Sequence, residues 1–181
     1  MEPKHSLGVM QRLGRKSLIV LISVAAACVY GVLHDQVTAR VCIEYFTVAH
    51  PPLFHTESVT MLAFCWGVAA TLGIGILLGF VLAAASQGGT PAPEALAGVV
   101  RAVVFLLLIM ALAAVVAGLA GYLLSRLQIV ALPSAFASVI PLAQHDRFTA
   151  VWFAHCASYL AGLAGSAFLC FTSGGDAAIH V

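Results

Sequence analysis

Ala102 to Leu124 reads AVVFLLLIMALAAVVAGLAGYLL, 23 residues without a charge. About 20 apolar helical residues cross the roughly 30 Å hydrocarbon core of a bilayer, so this stretch predicts a transmembrane helix. Three further apolar runs accompany it, at about 17–33, 59–85 and 148–171. Together they predict an all-α integral membrane protein, one domain built as a four-helix bundle. Composition agrees: 62% of the 181 residues are hydrophobic and 8% are charged, where soluble domains carry about 25% charged residues. So little charge cannot cover a water-facing surface. The formal net charge is +1, and no basic tract lies beyond the N-terminus, so lipid rather than nucleic acid is the expected surrounding.

The connections between runs differ in kind. Gln87 to Glu94, QGGTPAPE, is a short polar turn that predicts an antiparallel hairpin of spans two and three. His34 to Ser58 forms a long first loop. The third loop, Arg126 to Arg147, contains LPSAFASVIP, whose two prolines favour an interfacial or re-entrant piece over a fifth span.

Orientation follows from charge, because Lys4, Arg12, Arg15 and Lys16 supply four of the eight Lys and Arg residues and precede the first span. Positive residues stay inside, so the N-terminus is expected in the cytoplasm, with an even span count returning the C-terminus there and both long loops outside. Tyr30, Tyr122 and Trp152 then fall near the outer boundary, where amphipathic rings are favoured. The same layout resembles a signal peptide, yet the apolar stretch runs on past Ala25-Ala26-Ala27-Cys28 to Leu33, longer than a signal core of about 7–15 residues. An uncleaved anchor in a bacterial inner membrane is the expectation.

Small residues recur at four-residue spacing: Gly75 and Gly79, Ala114 and Gly118, then Ser158, Gly162 and Ser166. Such stripes let helices approach closely in lipid. Gly73-x-Gly75-x-x-x-Gly79 is not read as a nucleotide loop, since it lies within an apolar helix with no strand before it.

Candidate chemistry gathers at one side. Of seven histidines, His34, His50, His55, His145 and His155 map to the outer face, together with Asp35, Glu44, Glu57 and Asp146. Imidazole and carboxylate are ligand types for zinc, iron and copper. Tyr30 and His34 are four apart in span one, and His155 and Tyr159 are four apart in span four, so each pair shares a helix face. An ionisable group inside a span faces the bundle interior and has a partner. The expected metal ligands are His34, Asp35, Glu44, His50 and His155, with the two loop residues closing over the helix residues. Two alternatives stand beside this. One is haem b held by His34 and His155 from facing helices. The other is a non-catalytic assembly subunit whose small-residue faces recruit a second copy or another membrane protein. No catalytic residue or reaction is indicated.

The segment YGVLHDQVTARVCIEYFTVAHPP, Tyr30 to Pro52, resembles a family of uncharacterised bacterial four-span membrane proteins, through its H-D-Q-V-T and C-x-E-Y-F-T-x-x-H-P stretches and more weakly through His155. That resemblance covers mainly the first outer loop and does not point to any particular activity. At Cys156 the chain departs from the family's expected amide. Cys42 and Cys156 are also the only thiols placed toward the oxidising side, and so the one pair expected to be able to form an intrachain disulfide.

Overall fold

Thr38 donates from its hydroxyl to the His34 carbonyl at 3.1 Å, a bond made inside a helix that does not stop at Leu33. The computed structural model describes residues 3–85 and 92–175, and in it α1 runs Pro3–Val41. No proline or glycine interrupts Leu33 to Val41, and Asp35, Thr38, Ala39 and Cys42 are all buried at i, i+3, i+4 and i+7 spacing. A buried stripe with that period belongs to a helix. His34 and Asp35, expected at the start of the first loop, therefore stand on α1.

After a break at Cys42 come the short α2, Glu44–Val48, then α3, Val59–Ala85, and α4, Ala92–Arg126. Short α5, Ser134–Ala137, and a 3-10 turn at Leu142–Gln144 lead into α6, His145–Gly175. No strand occurs among the described residues. Ala92 to Glu94, expected in the turn, open α4 instead, and Gln87 to Pro91 lie outside the described residues, as does the C-terminus beyond Gly175.

Among the described residues, three helices are long and apolar enough to cross a membrane, over Gln11–Val41, Val59–Ala84 and Leu96–Arg126, and α6, which carries the fourth run, is not among them. Their exposed side chains include Leu108, Leu112, Val115, Val116 and Leu119 of α4. Such a face suits lipid contact. α6 is 31 residues long but more polar, since His155, Ser158, Tyr159 and Ser166 lie along it.

The long helices form two antiparallel pairs, α1 with α3 and α4 with α6. Glycine permits the first. Gly31 and Gly67 bring backbone against backbone, so that a methyl group on Gly67 would sit 2.6 Å from both Cα and N of Val32. Further along, Gly75 faces Val24 and Gly79 faces Val20. In the second pair Gly118 lies against Ala150 and Ala154, and Gly162 against Met110. The small-residue stripes are thus used within the chain.

Contacts between the pairs are fewer and fall at two levels. Ile19, Leu82, Ala83 and Val103 form an apolar plug at one level. Toward the other end, the Tyr30 hydroxyl and Ser158 Oγ are hydrogen-bonded at 2.7 Å. Beyond that bond lie the histidines and an aromatic layer.

Polar ties fix this end. Arg40 donates to Thr60 Oγ1 at 2.8 Å and Gln36 Nε2 to the Thr60 carbonyl at 2.9 Å, binding the end of α1 to the start of α3. α4 ends in a left-handed residue, Gln128 at φ 57°, with Ile129 N donating to Leu124 O and Gln128 N to Ser125 O, both at 2.9 Å. That pattern satisfies the orphan carbonyls of the last turn. Asp146, opening α6, then accepts from Ser125 Oγ at 2.7 Å and pairs with Arg126 at 3.7 Å. In the third loop, Leu132, Phe136 and Ile140 pack on Phe148 and Trp152.

Candidate metal centre

His155 enters the interior because α6 buries one stripe, Phe148, Val151, His155 and Ser158. That stripe meets the Asp35–Thr38 face of α1. His155 Nε2 lies 3.8 Å from Asp35 Oδ1 and 3.3 Å from Thr38 Oγ1. His34 completes the group: its ring meets that of His155 edge to face, with centroids 4.5 Å apart. One ligating atom from each of His34, Asp35 and His155 lies within 4.8 Å of the other two. Asp35 and His155 are 5% and 4% exposed. Burying a carboxylate so completely is costly unless something pairs with it.

One atom of this group stands out. His34 Nε2, like Gln144 Oε1, is wholly buried and has no hydrogen-bond partner among the described residues. An unmet buried polar group costs about 1–3 kcal/mol. The facing nitrogen and oxygen atoms of His155 and Asp35 are ligand types for a divalent cation.

Glu44 and His50 are not in this group. Glu44 starts α2 and accepts a hydrogen bond from Cys42 Sγ at 3.2 Å. The His50 ring is pinned by Nδ1 at 2.9 Å from the Tyr45 carbonyl and packs on Trp66 and Phe46. The loop instead delivers Tyr45, whose ring stacks on His155 at 4.6 Å and 25°. Burial pushes the Tyr45 hydroxyl up, so it stays a neutral phenol over the imidazole. His145 faces the Ile140 carbonyl with Nε2 at 3.0 Å, and His55 is exposed.

Thr38 and Tyr45 were not anticipated. Thr38 was legible in principle, since Tyr30, His34 and Thr38 continue one i+4 row once the helix is extended past Leu33. No local spacing announces Tyr45.

Cys42 and Cys156 are free thiols. Cys42 is buried at 2% exposure with its S–H turned to Glu44, whereas Cys156 is exposed on α6. The two thiols serve separate surroundings, and the expected disulfide is not formed. Burial, reinforced by the Glu44 carboxylate that accepts the S–H, pushes the Cys42 thiol up to about 12. Because the thiolate is the nucleophile, Cys42 is expected to stay unmodified by a maleimide at pH 8 in the native protein and to react once the protein is denatured. Rapid native labelling, read by peptide mass spectrometry, would contradict the buried placement.

The chain matches no family model, no curated protein and no solved structure.

Proposed function

We propose that this chain is a four-span protein of a bacterial inner membrane that holds a divalent transition metal, zinc, iron or copper, between His34 and Asp35 of α1 and His155 of α6. The observation carrying the reading is that His34, Asp35 and His155 each offer a ligand atom within 4.8 Å of the other two, with His34 Nε2 wholly buried and unpartnered among the described residues. Tetrahedral zinc at about 2.0–2.2 Å sets its ligands roughly 3.4 Å apart. His155 Nε2 and Asp35 Oδ1, at 3.8 Å, are close to that spacing, and small side-chain rotations bring in the third. Three protein donors leave a tetrahedral ion one open position, the arrangement of catalytic rather than structural zinc. No reaction follows from this alone.

Two observations weigh against the alternatives. Axial imidazoles must stand on opposite faces of a haem, yet the His34 and His155 rings touch at 4.5 Å, with no width for a macrocycle. The small-residue stripes that would recruit a partner are occupied by α1–α3 and α4–α6 packing.

Elemental analysis of protein purified without a histidine tag tests the proposal. Equimolar zinc, iron or copper is expected, released only on strong acidification, because the ligands must lose the metal to bind protons. Metal-free protein that also fails to take up zinc on titration overturns the reading.

The topology has its own test. The basic tail fixes the N-terminus inside, so a reporter active only in the periplasm should be silent after Gly175 and active when inserted at His55. Activity after Gly175 would mean an odd number of spans.

A further inference from the structure

Between the apolar plug at Ile19, Leu82 and Val103 and the Tyr30–Ser158 hydrogen bond, the two helix pairs do not close on each other. A cavity of about 320 Å³ remains, walled by all four long helices. It is almost wholly apolar, and exposed Ile74 of α3 and Leu163 of α6 belong to its wall, so it opens sideways toward lipid rather than toward water. Pockets for small molecules begin at about 300 Å³ and combine apolar walls with a few placed polar groups.

The polar groups here are mostly committed. Ser23, Thr71 and Ser166 each donate to a carbonyl in their own helix, at 2.9, 2.6 and 2.6 Å. Tyr30 is engaged with Ser158. Tyr159 differs: it lines the cavity, is 37% exposed, and among the described residues makes no hydrogen bond. A phenol in such a place usually finds a partner. No lysine, arginine or histidine lines the cavity, so an anionic head would enter without a counter-charge. The fitting occupant is neutral, flat enough to pass between helices, and a hydrogen-bond acceptor.

We propose that the cavity binds one membrane-dissolved quinone-class molecule, its ring between the helix pairs, a ring carbonyl accepting from the Tyr159 hydroxyl, and its alkyl or prenyl tail leaving past Ile74 and Leu163. The site uses none of the three metal-ligand residues, so it and the metal reading fail separately.

The test uses the full chain in phosphatidylcholine nanodiscs and a decyl-substituted benzoquinone with a diazirine on the chain carbon next to the ring. Cross-links are expected on the cavity-lining segments of α3, α4 and α6, and should be competed by the unlabelled decylbenzoquinone but not by dodecanoate. Ala70→Phe, which fills the cavity, should cut labelling at least tenfold. Tyr159→Phe, which keeps the shape and removes the donor, should weaken competition severalfold and serves if Ala70→Phe does not fold. Labelling spread over outward positions such as Leu108, Leu112 and Leu119, labelling unchanged in a folded Ala70→Phe or in Tyr159→Phe, or equal competition by dodecanoate would each overturn the proposal.

Discussion

Protein carrying His34→Ala and His155→Ala together is expected to lose its bound transition metal entirely, while Glu44→Gln and His50→Ala keep it. The first pair removes two of three donors, and Asp35 by itself on a helix cannot hold a divalent ion against water. Asp35→Asn retains the shape but removes the charge that makes the cluster attractive to a cation, so metal content should fall here as well. Glu44 answers to Cys42, and His50 is fixed by the Tyr45 carbonyl. Their loss should disturb the loop without emptying the site. Stability separates a metal centre from a plain buried pair. Stripping the wild-type protein with a chelator should lower its melting temperature, because a ligand that binds only the folded state stabilises it by mass action. In the double variant the chelator should do nothing. Equal metal content in wild type and double variant, or a chelator effect that survives the double substitution, would sink the assignment.

Gly67→Ala is expected to be among the most damaging single methyls at the described glycines, alongside Gly31→Ala, whose added carbon would run into the Gly67 backbone oxygen, and to cost about 3 kcal/mol, the upper end of the usual overpacking range. The carbon added at Gly67 would meet Val32 Cα and N at 2.6 Å and Gly31 C at 2.7 Å. Those are backbone atoms, which cannot rotate aside, so α1 and α3 must separate along their length. Gly31 is three residues before His34, and displacing it also moves the cluster. Gly73→Ala, in the same helix with nothing within 4 Å of the new carbon, is the matched control and should be neutral or slightly stabilising. Thermal unfolding in detergent, followed by circular dichroism, reads both. Equal melting temperatures for the two variants would show that the α1–α3 contact is looser than the backbone distances say.

What the sequence by itself determined is the set of helices and their medium. Runs as long and apolar as Val59–Ala85 and Ala102–Leu124 have one stable solution in lipid, because every backbone group must be satisfied within the segment, and those two stretches are helical throughout. The small-residue spacing also announced close helix approach, and Gly75, Gly79 and Gly118 make it. Helix ends were less legible. Hydropathy marks where apolar residues stop, but α1 continues to Val41 because its buried polar stripe packs against α6 and the loop.

The site divides in the same way. That His34 and His155 would turn toward each other was readable from residue type and depth, since an ionisable group within a span turns inward. Which other neighbours they meet was not. Asp35 and Thr38 join them through the rotation of α1, whereas Glu44 and His50 are drawn off by Cys42 and the Tyr45 carbonyl. The meeting with His155 depends on contacts between residues more than 100 positions apart, such as Thr38 with His155, while Glu44 and His50 turn to partners two and five residues away. Helix pairing and rotation set that meeting, and neither leaves a periodic trace along the chain.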